Sequence, residues 1–161
     1  MKKEQYSFEY EVFASIEELS ETDAWLLKEA REVTDAAYAP YSNFNVGAVA
    51  KLANGEIVAG TNQENASYPV GLCAERVLLA SASTLYPNVA IDTIAISYNN
   101  THGESKHPIS PCGMCRQSLV EFEDRTKQPI RLILSGLEGK VFVIRRAGSL
   151  LPLSFGSIDL K

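Results

Sequence analysis

All three cysteines of the chain fall in two short stretches: Cys73 opens Cys-Ala-Glu-Arg at 73–76, and Cys112 and Cys115 lie within Pro-Cys-Gly-Met-Cys at 111–115. In both places a loop is about to enter an apolar, helix-like run. Backbone N–H groups at a helix start are unpaired and carry partial positive charge, which favours thiolate over thiol and prepares a cysteine to bind metal. Three soft ligands on zinc leave one tetrahedral position open, as catalytic sites do, whereas structural sites take a fourth protein ligand. Glu75, two residues after Cys73, is placed to exchange protons with a water at that open position without being a ligand itself. Such a device is hydrolytic.

Three thiolates leave a dipositive ion with net negative charge, which weakens its power to acidify water. The two helix N-termini offset part of this. Arg76, next to Glu75, is placed to donate charge-assisted hydrogen bonds to the sulfurs. Taken singly, Cys112-x-x-Cys115 is also the spacing of a redox pair, and Glu75 also suits a first helical turn. His102 and His107, the only histidines, fall in a polar loop and read as surface residues rather than as a fourth ligand.

The elements that must position these groups follow from periodicity. Residues 6–13 alternate, with Tyr6, Phe8, Tyr10 and Val12 on one side, as a short strand or arm would. A helix is expected from Ser20, with Leu26, Ala30, Val33 and Ala37 on its packed face and Pro40 as its stop. The run at 45–60 reads as a β-hairpin closed by a two-residue turn at Asn54-Gly55. CAERVLLASASTLYP reads as a helix buried on nearly every side and ended by Pro87. IDTIAISY is a buried strand, CRQSLVEFE another helix, IRLILS and VFVIRR two further strands, and LLPLSFGSIDL a packed tail. Strands separated by helices predict an α/β sandwich with a largely parallel part.

Composition narrows the function classes. A chain of 161 residues with 45% apolar and 22% charged residues suits one soluble globular domain, and no apolar run is long enough to cross a bilayer. No membrane partner is expected. The N-terminus lacks the apolar core of a signal peptide, so a cytoplasmic location is expected. A net charge of −5 argues against long nucleic acids as partners. An odd cysteine count argues against a disulfide framework.

Zinc deaminases of nucleobases share a His or Cys, one residue, Glu, and later Pro-Cys-x-x-Cys. CAE at 73–75 and PCGMC at 111–115 match that pattern. Beyond it, the chain resembles the small homotetrameric cytidine deaminases through YAPYSNFNVGA at 38–48, NQENASYPVGLCAER at 62–76, SPCGMCRQ at 110–117 and LLPLSF at 150–155. The resemblance runs from about residue 22 to 156.

It implies an α/β fold, a three-layer helix-sheet-helix sandwich with a mixed central sheet of about five strands. Residues 1–20 would be an N-terminal extension and 21–161 the deaminase domain. One Zn2+ per subunit would sit on Cys73, Cys112 and Cys115, with Glu75 carrying protons to the pyrimidine N3 and then to the leaving amine. Phe44, Asn62, Glu64, Ala66, Tyr68, Ala74 and Phe155 would contact the nucleoside. Among them, Asn62 and Glu64 would read ribose hydroxyls, Ala66 and Tyr68 would be lent to a neighbouring subunit, and Phe155 would cover the base. The implied activity is deamination of cytidine and deoxycytidine in pyrimidine salvage, by a homotetramer with shared active sites. Alternatives are a deaminase of another aminopyrimidine nucleoside such as blasticidin S, and a non-catalytic zinc-stabilised binding protein of the same fold. A nucleic-acid editor is disfavoured by the net charge and by Cys73, where such relatives usually use histidine.

Overall fold

The computed structural model describes residues 1–161. Strand β1 (Glu11–Phe13) is followed by helix α1 (Glu21–Glu32), the hairpin strands β2 (Phe44–Leu52) and β3 (Ile57–Thr61), helix α2 (Ala74–Leu85), strand β4 (Ile91–Asn100), helix α3 (Gly113–Thr126), and strands β5 (Arg131–Ser135) and β6 (Val141–Ile144). The strands form one mixed sheet in the order β1-β6-β5-β4-β2-β3. Helix α1 covers one face, packing Leu26, Leu27 and Ala30 on Val49, Ala95, Ile133 and Val143. Helices α2 and α3 cover the other, where Leu78 and Leu119 meet Ala48, Ala50, Ile94, Ile96, Leu132 and Leu134. This is the expected three-layer sandwich.

Its sheet differs in two respects from expectation. Only β4 and β5 run parallel, and every other pair is antiparallel. The continuous apolar runs that suggested a parallel sheet arise because both faces are buried, which does not depend on strand direction. There are also six strands, because the N-terminal arm adds β1 to the outer edge of β6. Of the alternating residues 6–13, only Glu11–Phe13 enter the ladder. Before it, Tyr10 packs on Phe142 with ring centroids 5.0 Å apart, and the Tyr6 hydroxyl donates to the Ser149 carbonyl at 2.7 Å.

Local chemistry sets the remaining boundaries. Ser20 caps α1 by accepting the Asp23 N–H. The helix tightens into a 3₁₀ turn at Val33–Ala36, before Pro40, where the Thr34 hydroxyl bonds back to the Arg31 carbonyl at 2.6 Å. At the hairpin tip Gly55 alone takes positive φ, and the Leu52 N–H reaches the Glu56 carbonyl, so the loop is longer than a two-residue turn. Helix α2 buries one face, not all sides: Leu78, Leu79 and Ala82 are enclosed while Ala80 and Leu85 are exposed. The tail is not a packed segment either, since Leu150 is buried but Leu153, Ile158 and Leu160 face solvent.

One close approach matters for the site. A Cβ on Gly60 of β3 would lie 2.5 Å from both the Ala74 carbonyl oxygen and the Leu78 nitrogen. The first turn of α2 therefore rests directly on the β3 backbone.

Candidate metal centre and its cleft

Cys73 is the N-cap residue of α2 and Cys112 that of α3, both in extended backbone conformation, and Cys115 lies one turn into α3. Packing of α2 against α3 on the same sheet face brings the two helix starts together. The Cys73 and Cys112 sulfurs are 3.7 Å apart and those of Cys112 and Cys115 3.5 Å apart. All three lie within 4.8 Å of one another, and neither a histidine nor a further carboxylate joins them. Sulfurs on a tetrahedral zinc at about 2.3 Å would stand about 3.8 Å apart. The donor set and spacing fit zinc with one position open, and all three cysteines are free thiols.

The thiols do not share their proton affinity equally. Hydrogen bonding from Cys115 holds Cys73 down to about 6 against the opposing effect of burial, with further help from Cys112 and from the Arg76 charge. Cys115 is pushed well up by the same bond to Cys73, by burial and by the nearby Glu75. Of the two, Cys73 is the one favoured as thiolate. Arg76 makes no hydrogen bond to a sulfur; it favours that thiolate through charge alone.

Glu75 is 5% exposed, and burial raises its carboxyl above the ordinary carboxylate range, against weaker stabilisation by its own backbone N–H and by Cys115. A carboxyl so placed keeps its proton to higher pH than an exposed one does. It lines a cleft of about 380 Å³ together with the three cysteines, Val46, Asn62, Glu64, Tyr68, Ala74, Ile109, Ser110 and Met114. A neighbouring hollow shares Glu64 and Tyr68 and adds Tyr41, Ser42 and Asn65.

Asn62 and Glu64 are held by backbone. The Asn62 side-chain oxygen accepts the Val46 N–H at 2.7 Å and its amide donates to the Phe44 carbonyl at 2.9 Å. Glu64 accepts the N–H groups of Tyr41 and Ser42, at 2.9 and 3.2 Å, and the Ser42 hydroxyl. Slight burial pushes its carboxyl up, but the Ser42 hydroxyl and these two N–H groups outweigh that and leave it lowered. Each side chain keeps unused hydrogen-bonding capacity.

Of the other expected substrate contacts, Ala74 is fully buried in the cleft wall and Tyr68, 74% exposed, stands at its mouth. Phe44 lies on the same sheet face as Val46, stacked on Tyr98, but is not part of the cleft lining. Ala66 is exposed in the loop outside the lining. Phe155 is also outside it, in a groove with Leu79, Phe122 and Arg125, where Gln117 donates to its carbonyl at 2.8 Å. Sequence reasoning missed Ser42, Val46, Ile109, Ser110 and Met114. It also missed Arg116, whose guanidinium braces the cysteine loop by donating to the Pro111 and Leu150 carbonyls at 2.8 and 3.0 Å. For Ile109, Ser110, Met114 and Arg116 the signal was adjacency to the cysteines; for Ser42 and Val46 it was their place in YAPYSNFNVGA on either side of Phe44.

Fold and site together define an α/β protein whose cleft can hold zinc on three thiolates beside a buried carboxylate. The model of the cytidine and deoxycytidylate deaminase zinc-binding region matches residues 20–128, and the chain belongs to that family. It is 36% identical to the cytidine deaminase of Halalkalibacterium halodurans over 136 residues, covering 84% of this chain and 96% of the relative. It is 36% identical to that of Mycobacterium tuberculosis over 134 residues, 81% of this chain and 87% of the relative. The crystal structure of cytidine deaminase from Burkholderia pseudomallei superposes with a TM-score of 0.71 at 37% identity, covering 85% of this chain and 100% of that one.

Proposed function

We propose that the protein hydrolytically deaminates cytidine and deoxycytidine: water is consumed, the exocyclic C4–N bond breaks, and uridine or deoxyuridine leaves with ammonia. The observation that carries this reading is the burial of Glu75 in the same cleft as three sulfurs at zinc-like spacing. Zinc on Cys73, Cys112 and Cys115, when bound, supplies the Lewis acidity that lowers the pKa of water. Glu75 takes one proton from the attacking water and passes it to the pyrimidine N3, then takes the second from the hydroxyl added at C4 and hands it to the departing amine. Its raised proton affinity suits a group that must both accept and return a proton. Arg76 offsets the negative charge of the sulfurs. Asn62 and Glu64 meet ribose hydroxyls with the capacity their backbone bonds leave free, and Phe44 contacts the nucleoside. The Glu64 carboxylate would repel a phosphate, so a free nucleoside is favoured over a nucleotide.

The same reading takes the working form as a homotetramer with shared active sites, in which Ala66 and Tyr68 serve a neighbour's cleft and Phe155 covers the bound base. Ala66 and Phe155 lie outside their own cleft, and Tyr68, Val70, Leu72 and Leu153 expose apolar surface. Pyrimidine salvage in the cytoplasm is the setting such a reaction suits; no helix is long and apolar enough to cross a membrane. Residues 1–20 are read as an extension to a deaminase domain at 21–161. The test is ammonia release from cytidine, deoxycytidine, cytidine monophosphate, blasticidin S and single-stranded DNA, with the native protein and Glu75→Gln. Turnover of the two free nucleosides by the native protein alone is expected; zinc-loaded native protein that turned over neither would overturn the reading.

A further inference from the structure

Tyr98 is a buried polar residue to which the deaminase reading gives no task. It is 1% exposed, and its hydroxyl has one partner, Nδ1 of His107 at 3.2 Å. Its ring stacks on Phe44 with centroids 4.7 Å apart and planes 15° apart, and meets the His107 ring edge-on at 5.8 Å. Tyr98 pairs with Val46 across β2 and β4, so both side chains project from the sheet face that carries the cleft, and Val46 lines it. A phenol enclosed this completely needs a hydrogen-bond partner, whereas an apolar side chain there would need none.

That partner sits in the loop from β4 to the cysteine motif. The loop is fastened as far as Ser105: the Asn100 N–H bonds to the Ser105 hydroxyl at 2.8 Å, the Thr101 N–H to the Asn43 carbonyl at 3.0 Å, and the Glu138 N–H to the Ser105 carbonyl at 3.3 Å. It is fastened again at Pro111 by Arg116. Between these anchors, residues 107–110 make one hydrogen bond to the rest of the chain, the bond from His107 to Tyr98. The same four residues bring Ile109 and Ser110 to the cleft wall.

We propose that Tyr98 and His107 are positioning residues for the base: Tyr98 backs the Phe44 ring, and its hydroxyl, through His107, fixes where Ile109 and Ser110 stand across the cleft. This rests on the deaminase reading of that cleft. Neither residue reaches the metal cluster, so both act on binding and orientation of the nucleoside and not on proton transfer. The hydroxyl can donate to a neutral imidazole or accept from a protonated one, so the link does not require one protonation state of His107.

The test compares Tyr98→Phe, which keeps the ring and removes the hydroxyl, with His107→Ala, which removes the partner from its exposed side. His107→Asn places an amide oxygen where Nδ1 was. Zinc content, kcat and KM for cytidine are measured, and cytidine Kd is measured in a Glu75→Gln background, where binding is read without turnover. Tyr98→Phe and His107→Ala should each raise KM and Kd by about three- to tenfold, the weight of one hydrogen bond, with kcat changed less than about twofold and zinc content unchanged. The double variant should be no worse than either single one, and His107→Asn should recover most of the loss. KM and Kd unmoved in both single variants, or effects that multiply in the double variant, would overturn the proposal. Should Tyr98→Phe fail to fold, His107→Ala and His107→Asn decide it alone. Binding without turnover by the native protein would sink the deaminase reading and leave Kd to judge positioning; no cytidine binding at all would sink both.

Discussion

At Glu75 burial and charge oppose each other. Enclosure among Ala74, Cys115 and the cleft wall raises its proton affinity, so the metal-free fold is penalised whenever the carboxylate ionises. The penalty is absent below the unfolded carboxyl pKa of about 4.3, where both states are protonated, and grows as pH rises through the folded value. Glu75→Gln should therefore melt ~2–6 °C higher than native protein when both are metal-free at pH 7–8, the gap closing towards pH 4. Its turnover of cytidine should fall by ~10²–10⁴-fold with zinc content retained. Calorimetric melts across pH and metal analysis beside the activity assay check both. That Cys73, Cys112 and Cys115 would meet beside Glu75 was legible in the sequence, because these residue types stand at two helix starts. The anchoring of Asn62 and Glu64 was not, because its partners are backbone groups of Tyr41, Ser42, Phe44 and Val46, which only folding brings near.

Between elements, one contact seats the site and another ties down the opposite face of the sheet. Gly60 lets α2 rest on β3; in Gly60→Ala the new methyl would meet backbone, not a movable side chain, beside Ala74 and hence beside Cys73 and Glu75. This variant should lose ~1–3 kcal/mol in urea unfolding and bind zinc more weakly, because displacing α2 moves one sulfur away from the other two. On the opposite face Arg131 of β5 donates two hydrogen bonds to Asp23 of α1, both 2.8 Å. Burial works to raise the Asp23 carboxyl, but the bonds and charge of Arg131 outweigh it and hold it low. That stabilisation is present above the unfolded pKa of about 3.9 and lost as pH falls through the folded value. Asp23→Asn should accordingly cost ~1–2 kcal/mol at pH 7, a figure reduced for partial exposure, and progressively less below pH 4. Helix starts and the hairpin were readable from capping and alternation. Strand direction was not, since β4 and β5 are apolar because both faces are covered, and the exposed side of α2 depends on what packs against it.

For the molecule as a whole, the metal links what the sheet only brings near. The β1 arm extends the sheet at its far edge from β3, while the three sulfurs join the starts of α2 and α3 on one face. Those sulfurs stand 3.5 and 3.7 Å apart, within reach of thiol–thiolate hydrogen bonds. At pH 7.5 Cys73, held near 6, is already largely thiolate, whereas Cys115 keeps its proton. Zinc requires thiolates, so uptake at that pH must release at least the Cys115 proton. Lowering the pH through 6 protonates Cys73 in the metal-free protein and adds its proton to the number released, so zinc affinity should fall more steeply below pH 6 than above it. Titrations of zinc into chelator-stripped protein, in buffers of different ionisation enthalpy, would read the proton count directly. Stripping should also lower the melting temperature by ~10 °C or more, because the ion binds the folded arrangement of two helix starts far better than the unfolded chain. A proton count that stayed flat between pH 7.5 and 5.5 would show that Cys73 is not the thiol ionised first.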